Sequence, residues 1–365
     1  MKHKIKTIAV MTGGGDCPGL NAVIRAVTKT AISKYSMKVW GIEDGYLGLV
    51  EKRLRPLSYS DVSHILSIGG TILGSNNTTN PSRYPIRNKA GKVIFKDMSY
   101  SCIKTLKQKK IDALVCIGGD GTMTSAAAFA KKGLVVMGVP KTIDNDLWGT
   151  DVTFGFDTAV TTATEAIDKL RTTASSHHRV MVVEVMGRYA GWIALHSGVA
   201  GGADVILIPE IPYRLEKICQ FVQLRNSWGK SYSIIVVAEG AKEIGGKMVV
   251  KETRAYSPDP IRLGGIANKL AGQIEQMTGL EARAVTLGYI QRGGTPTPWD
   301  RILATSFGHS ALELLVKGVK NRLVVLKNNK LSSVPLSQVA GRIRNVPKNH
   351  SLIKAARAVN TCFGD

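Results

Sequence analysis

The chain has 365 residues, enough for one large domain or two ordinary ones with a substantial core. Hydrophobic residues make up 44% and aromatic residues 6%, which is typical of a soluble α/β protein, and no apolar run approaches the roughly 20 residues of a membrane span. The net charge of +22 admits a nucleic-acid surface, but the basic residues are spread without interleaved aromatics, which favours solvated helix faces and makes a nucleic-acid partner the weaker expectation.

Strand-like and helix-like segments alternate along the chain. A strand, a glycine turn and a helix follow one another in residues 7–32, 113–132 and 179–200. The apolar runs do not alternate with polar residues, as expected for parallel strands covered on both faces. Further strands are predicted at 134–140, 204–210 and 233–239, and helices at 60–69, 99–109, 157–174, 262–278 and 301–317. The pattern predicts an α/β fold of doubly wound sheets, with ligands at the carboxyl ends of the strands.

Two glycine-rich turns are predicted to bind phosphate. Residues 13–16 (GGGD) follow the first strand and are expected to open a helix, where backbone N–H groups can approach an anion closely. Residues 118–122 (GGDGT) repeat the arrangement with Asp120 in the turn, where its carboxylate can hold Mg²⁺ directly or through water. The alternatives are turns that use glycine for conformation alone and an aspartate that caps the next helix.

Residues 140–146 (PKTIDND) are predicted to carry the chemistry. Phosphoryl transfer needs a hydroxyl in line with the donor phosphate, a base beside it, and cations over the transferring group. Asp144 is the predicted base, Asp146 is its neighbour, and Thr142 is a hydrogen-bond donor to the substrate or the transferring phosphate. The alternative is that Asp144 and Asn145 only form an Asx turn.

Later segments supply candidate ligands for a sugar phosphate. Guanidinium groups beside glycine turns bind phosphate oxygens in pairs, although each alone is equally compatible with a surface salt bridge. Glu239 ends a strand and is predicted to accept hydrogen bonds from sugar hydroxyls, the alternative being an exposed helix start. The other candidates are Arg179, Met186, Gly187, Arg188, Arg283 and Arg292.

The ordered set GGGDCPGLNAVIR, DGYLGL, GGDGT, PKTIDND, SSHHR, VEVMGRYAGW and LGYIQRGGTP resembles the 6-phosphofructokinase family over about residues 5–310. The resemblance implies phosphorylation of the 1-hydroxyl of fructose 6-phosphate with Mg-ATP, or with pyrophosphate in some branches. It also implies a cytoplasmic homotetramer or homodimer whose subunit has two Rossmann-like lobes with a cleft between them. The expected larger lobe, residues 1–155 plus about 296–344, holds the donor nucleotide, and about 156–295 plus 345–365 hold the sugar phosphate.

The same resemblance assigns roles to individual residues. Asp144 is implied as the base, supported by Thr142, Asp146 and Arg179, and Asp120 as the magnesium ligand. Arg179 and Arg283 are implied to reach the sugar phosphate across a subunit interface, and Tyr289 stands where many members have a histidine. The implied donor site comprises Gly14, Tyr46, Gly118, Gly119, Asp120, Gly121, Thr122 and Lys141. The histidines receive no role.

Three departures from the family pattern bear on the donor and on regulation. Lys141 is typical of the pyrophosphate enzymes, but Gly121 leaves room for the α-phosphate of ATP, so ATP is expected with Lys141 facing the donor phosphates. Asn77 stands near the place of an arginine that bridges donor and acceptor, and Arg83 could replace it only if its loop folds back. Reduction of an effector-site lysine cluster to Lys230 predicts weak control, although Arg25, Arg53 and Arg171 match the rest of that site and Lys29 conservatively replaces an arginine there.

Other protein classes share part of these signals. Lipid kinases and NAD kinases have GGDGT but do not need PKTIDND or the MGR segment. A sugar-phosphate-binding or nucleic-acid-binding protein without activity is a weaker alternative, because Asp120, Thr142, Asp144 and Arg179 are all present.

Overall fold

A computed structural model describes residues 5–255 and 259–365. Residues 1–4 of the expected larger lobe and 256–258 of the expected smaller lobe lie outside this part of the chain. The strands are β1 (Thr7–Thr12), β2 (Lys38–Ile42), β3 (Leu54–Leu57), β4 (Tyr84–Arg87), β5 (Val93–Lys96), β6 (Ala113–Gly118), β7 (Val136–Pro140), β8 (Val180–Val185), β9 (Val205–Leu207), β10 (Ser233–Ala238), β11 (Val250–Thr253), β12 (Ile261–Leu263), β13 (Ala282–Thr286), β14 (Arg322–Lys327) and β15 (Lys330–Pro335). The helices are α1 (Leu20–Tyr35), α2 (Gly45–Val50), α3 (Ser99–Gln108), α4 (Asp120–Lys131), α5 (Phe156–His177), α6 (Trp192–Ala200), α7 (Leu215–Ser227), α8 (Ile266–Thr278), α9 (Pro298–Val316), α10 (Leu336–Val339) and α11 (Ser351–Ala358).

Two sheets organise the molecule. The larger has the order β15-β14-β7-β6-β1-β2-β3, parallel from β14 to β2 with an antiparallel strand at each edge. The smaller has the order β13-β8-β10-β9 and is parallel throughout. Strands β1, β6, β7, β8 and β10 are buried along their whole length, as their unbroken apolar runs predict. The predicted α/β fold with two doubly wound sheets is confirmed.

One apolar core connects the two sheets. Its buried members include Val10 and Val115 from the larger sheet and Val183 and Val236 from the smaller one. Helices α1 and α9 pack against each other over the larger sheet, and α5 packs on both α6 and α9. The sheets are therefore held in a fixed relation by continuous packing.

The chain passes between the sheets three times. Strands β1–β3, β6 and β7 belong to the larger sheet, β8–β10 and β13 to the smaller, and β14 and β15 to the larger again. The chain then returns, and Cys362 bridges to Val205 of the smaller sheet. Strands β4 and β5, and likewise β11 and β12, form separate two-stranded antiparallel sheets. The expected lobe limits near residues 155, 295 and 344 stay a prediction.

Two local predictions are wrong. Residues 60–69 form a series of turns instead of a helix, with His64 at φ 61°. The side chain of Asn21 donates to the carbonyl oxygens of Ile68 at 3.0 Å and Gly69 at 3.3 Å, so tertiary contacts hold this segment. The GGGD turn does not open a helix directly, because α1 begins four residues later at Leu20.

None of the helices in the described ranges is both long and apolar enough to cross a membrane.

Candidate active site

A cavity of about 510 Å³ lies at the carboxyl ends of β1, β6 and β7. Both glycine turns and the PKTIDND loop contribute to its wall, which includes Gly14, Asp120, Lys141 and Asp144. A second cavity of about 390 Å³ shares Gly14, Gly15, Asp16, Asn77 and Arg292 with the first. The two form one continuous cleft where a parallel sheet is expected to bind ligands.

The first glycine turn follows β1 and hydrogen-bonds to the backbone of β6 and of the segment around Asn76. Gly13 N–H donates to the carbonyl of Ile117 at 2.9 Å, and Gly14 N–H donates to that of Asn76 at 3.1 Å. Gly14 has φ 81°, a left-handed conformation that favours glycine. A Cβ at Gly15 would overlap the guanidinium of Arg292, so Arg292 approaches this turn closely.

The second glycine turn begins α4, as the sequence predicts. Gly119 is the N-cap, Asp120 lies in the first turn, and the side chain of Thr122 packs on Gly118. Gly121 faces open space, since a Cβ there would meet no heavy atom within 4 Å.

Asp120 and Tyr46 complete the donor-side wall. Asp120 Oδ1 accepts from Gly341 N–H at 3.1 Å, and burial raises the pKa of the Asp120 carboxyl. Tyr46 is buried, and its hydroxyl donates to the carbonyl of Thr122 at 3.0 Å. Tyr46 thus fixes the backbone of the GGDGT turn while also lining the cavity.

Asp144 occupies the floor of the cleft. Its N–H donates to Thr142 Oγ1 at 3.1 Å, and its buried Oδ1 has no hydrogen-bond partner among the described residues. Burial raises the pKa of Asp144, and the cations of Arg292, Arg188 and Lys141 oppose that rise. An unpaired carboxylate oxygen held among cations is suited to accept a proton from a ligand.

Asp146 lies beside this group. Burial, and then repulsion from Asp144, raise the pKa of Asp146 to about 7. The Thr142 hydroxyl hydrogen-bonds to Asp146, which opposes this rise in the pKa, and Thr142 also lines the cavity. Asn145 has φ 51°. Its Oδ1 accepts from Thr153 N–H at 3.0 Å, so its side chain makes a buried contact eight residues along the chain and not the local hydrogen bond of an Asx turn.

Lys141 lies between the glycine turn and the aspartates. Its side chain is buried, with only 4% of the residue exposed, and Nζ donates to the carbonyl of Gly15. Burial lowers its pKa, opposed by the negative groups around it, including Asp16 and Asp144. A cation is therefore fixed on the wall that both glycine turns share.

The residues predicted to bind the sugar phosphate divide into a group on the cleft side of the smaller sheet and a pair, Arg179 and Arg283, at the opposite edge of that sheet. Arg188 and Glu239 follow the carboxyl ends of β8 and β10, next to Asp144. Burial, and then Asp144, raise the pKa of Glu239 to about 7. Arg188 pairs with Asp259, which lines the larger cavity.

Of three further candidates for the sugar phosphate, Tyr289 lines the smaller cavity, while Gly187 and Met186 follow the carboxyl end of β8. Gly187 has φ 134°, and its carbonyl accepts from Gly240 N–H at 3.1 Å; Met186 precedes it and is half-buried. Tyr289 is 76% exposed beside the smaller cavity, with its ring 5.7 Å from the Arg292 guanidinium.

Arg179 and Arg283 lie elsewhere in the chain. Arg179 directly precedes β8 and Arg283 is the second residue of β13, so both are at the amino edge of the smaller sheet. Arg179 pairs with Glu281 at 2.9 Å, and Arg283 pairs with Glu275 at 3.2 Å and Glu281 at 2.5 Å. A six-residue strand spans about 20 Å. Within one chain, neither arginine is therefore brought together with Asp144, and their predicted role across a subunit interface stays a prediction.

Near the donor turn, Asn77 lines both cavities, whereas Arg83 stacks on Phe95 at 4.3 Å instead of folding back. Three residues were not predicted from the sequence. Asp259 and Gly341 reach the cavity wall from distant segments, and Arg344 hydrogen-bonds to the backbone of the PKTIDND loop.

The residues present fit a magnesium ion bound together with phosphate. The described residues contain no group of three or more His, Cys, Asp and Glu side chains that could hold a metal alone. Asp120 instead offers a single carboxylate on the wall of a cavity that also includes the two glycine turns predicted to bind phosphate. Mg²⁺ prefers this combination of one or two carboxylates with phosphate oxygens and water.

Comparisons with known proteins agree on one family. The family model described as phosphofructokinase matches residues 7–315. "ATP-dependent 6-phosphofructokinase 2" of Clostridium perfringens is 54% identical over 366 residues, covering all of both chains. "ATP-dependent 6-phosphofructokinase" of Spirochaeta thermophila is 48% identical, covering 99% of this chain and 98% of the relative.

Solved structures show the same fold. Pichia pastoris phosphofructokinase superposes with a TM-score of 0.76 at 34% identity, over 92% of this chain and 35% of that longer chain. A pyrophosphate-dependent phosphofructokinase from Nitrosospira multiformis gives a TM-score of 0.80 at 23% identity, over 99% of this chain and 93% of that one. At that identity, the second likeness bears on the fold alone.

Proposed function

The chain belongs to the phosphofructokinase family, and we propose that it is an ATP-dependent 6-phosphofructokinase. It transfers the γ-phosphoryl group of ATP to the 1-hydroxyl of fructose 6-phosphate, a step of glycolysis, and releases ADP and fructose 1,6-bisphosphate. The observation that carries the proposal is the buried, unpaired Oδ1 of Asp144 in a cleft shared with two phosphate-binding turns. Full-length relatives named ATP-dependent enzymes support ATP as the donor.

The donor phosphates bind against the two glycine turns. Backbone N–H groups at the beginning of α4 and the Lys141 ammonium offset the phosphate charge. Gly121 leaves the space beside them open for the rest of the nucleotide. Asp120 would hold Mg²⁺, which when bound neutralises charge on the transferring phosphoryl group.

Asp144 acts as the base. Its carboxylate accepts the proton of the attacking hydroxyl, and the charges of Arg292, Arg188 and Lys141 oppose the rise in its pKa that burial causes. Thr142 orders both aspartates, because its hydroxyl accepts from Asp144 N–H and bonds to Asp146.

The sugar phosphate lies in the smaller cavity. Arg292 and Tyr289 line that cavity and are placed to bind phosphate oxygens. Glu239, Arg188 and the 186–187 backbone lie beside Asp144, where they can contact the sugar hydroxyls.

Arg179 and Arg283 act from a neighbouring subunit in this proposal. Both lie about a strand length from Asp144 in their own chain, so a homodimer or homotetramer is needed to bring them to a site. Mixing two inactive variants, Asp144→Asn and Arg179→Ala, after mild dissociation should restore part of the activity, since some sites then receive both intact residues. No recovery from an assembly shown to contain both variants would contradict the shared site.

Pyrophosphate is the second candidate donor, because Lys141 is a buried cation that would suit a small donor. Purified protein should be assayed with fructose 6-phosphate, magnesium, and either ATP or pyrophosphate, with formation of fructose 1,6-bisphosphate as the readout. Asp144→Asn is the control for contaminating activity. A higher kcat/KM with pyrophosphate than with ATP would overturn the donor assignment, and no product with either would overturn the proposed function. We also propose a cytoplasmic location, in keeping with a glycolytic role.

A further inference from the structure

Residues 341–346, here called the return segment, contact three parts of the site in succession. Gly341 N–H donates to Asp120 Oδ1 at 3.1 Å on the donor side. Val346 N–H donates to Glu210 Oε1 at 2.8 Å, and the same carboxylate oxygen accepts from Gly191 N–H at 3.1 Å, just before α6. Between these two ends, Arg344 lies against the PKTIDND loop.

Arg344 binds the backbone of that loop at two consecutive residues. Its Nη1 donates to the carbonyl of Asn145 at 2.8 Å, and its own N–H donates to the carbonyl of Asp146 at 2.7 Å. The guanidinium stacks 4.1 Å from the ring of Trp192, whose Nε1 donates to the Arg344 carbonyl at 2.9 Å. The indole of Trp192, the first residue of α6, therefore fixes the orientation of the guanidinium that contacts the loop.

The contacted backbone has an unusual conformation. Asn145 is in the left-handed region at φ 51°, which few residues other than glycine adopt without local support. Thr153 N–H holds the Asn145 side chain at 3.0 Å, and Arg344 holds its carbonyl. Because Asp144 immediately precedes Asn145, the direction of the Asp144 carboxylate depends on this backbone.

We infer that Arg344 is a positioning residue, which fixes the Asn145–Asp146 backbone so that Asp144 faces the cleft. Arg344 itself is not among the residues that line the larger cavity, and in this role it acts through the loop backbone that it contacts. The inference rests on the proposed function, because it assumes that Asp144 is the base. A misplacement of about 1 Å at a reacting group can cost on the order of a hundredfold in rate.

The test compares Arg344→Met with Arg344→Lys and with a matched control. Arg342→Met removes the same charge from the same segment, but Arg342 is exposed and stacks on Trp148 at 4.9 Å. For Arg344→Met we expect kcat to fall about tenfold to a hundredfold, with KM for both substrates within about threefold. Arg344→Lys can still donate one hydrogen bond and should recover part of kcat, while Arg342→Met should stay within about twofold of wild type.

Chemical rescue separates positioning from a general loss of structure. Arg344→Ala leaves a space for a free guanidinium ion, so millimolar guanidinium should raise kcat of this variant and not that of Arg342→Met. Circular dichroism verifies folding, and if Arg344→Met and Arg344→Ala do not fold, the kcat of Arg344→Lys decides.

An active wild type with unchanged kcat in Arg344→Met, or in Arg344→Lys where that variant decides, would overturn this inference alone. So would a loss confined to KM, or an absence of rescue in folded Arg344→Ala. An inactive wild type would overturn the proposed function and this inference with it.

Discussion

Gly121→Asp should separate use of ATP from use of pyrophosphate. Gly121 lies in the first turn of α4 beside Asp120, and a Cβ at this position meets nothing within 4 Å. An added Cβ therefore meets no neighbour, and an acidic residue in the first turn of a helix is favourable to the helix itself. Any loss of activity then reflects the ligand and not the fold.

The size of the effect follows from charge. A carboxylate about 4 Å from a donor phosphate repels it by roughly 1 kcal/mol in water and about 4 kcal/mol at an effective dielectric constant of 20. At 1.4 kcal/mol per decade, kcat/KM for ATP should fall by about fivefold to nearly a thousandfold. Pyrophosphate lacks the α-phosphate and nucleoside, so any activity with it should fall much less.

The assay is kcat/KM for both donors at fixed magnesium and ionic strength. Gly121→Asn is the matched control, since its side chain has nearly the same shape without the charge, and it should stay within about threefold of wild type for ATP. Lys141→Gly provides the opposite change and should weaken any pyrophosphate activity more than ATP activity, because the smaller donor has fewer other contacts. Unchanged ATP kinetics in Gly121→Asp, or an equal loss in Gly121→Asn, would refute the reasoning about this side of the cleft.

Four further predictions concern the base, the pH dependence of activity and of stability, and regulation. Asp144→Asn should lower kcat by ~10²–10⁴ while calorimetric binding of fructose 6-phosphate changes little; near-normal turnover would exclude Asp144 as the base. Asp146→Asn removes a negative charge next to Asp144, so the pKa of the base should fall and the acid limb of kcat should move to lower pH; a limb that stays in place would contradict their coupling. Because burial raises the pKa of Asp146 from 3.8 to about 7, its ionisation costs stability, and the free energy of unfolding should rise from pH 8 to pH 5 more in wild type than in Asp146→Asn. Fructose 6-phosphate saturation should be hyperbolic with less than about tenfold response to ADP or phosphoenolpyruvate, since the Arg53 guanidinium is already paired with Asp44 at 2.5 Å; strong sigmoidicity abolished by ADP would contradict this.

The central strands were predictable because their signal is local. Unbroken apolar runs ending in glycine turns are sufficient to predict β1, β6 and β8, and the carboxyl ends of β1 and β6 meet at one edge of the larger sheet. Because these residues follow the carboxyl ends of parallel strands, the sequence also predicts that Gly14, Asp120 and Asp144 lie near one another. Residues 60–69 could not be predicted this way, because the amide of Asn21 holds their carbonyl groups from about 50 positions away.

Other parts of the site depend on contacts that no local pattern contains. Asp259 reaches the cavity from the segment before β12, and Arg344 reaches the Asn145 carbonyl across 199 positions. Their neighbouring residues resemble ordinary polar loops, so nothing in the sequence distinguishes them. The distance between Arg179 and Asp144 within one chain likewise depends on the placement of β8, which begins at the residue after Arg179.

The third crossing between the sheets has a consequence for synthesis of the protein. The PKTIDND loop leaves the ribosome well before the return segment that supports it, and at about 5–20 residues per second the 199 positions between Asn145 and Arg344 correspond to a delay of roughly 10–40 s. During that interval the nascent larger sheet also lacks β14 and β15, which are made after residue 320. Nascent chains therefore carry the aspartates for much of translation without their supporting contacts, and activity should be acquired only once the last part of the chain has been made.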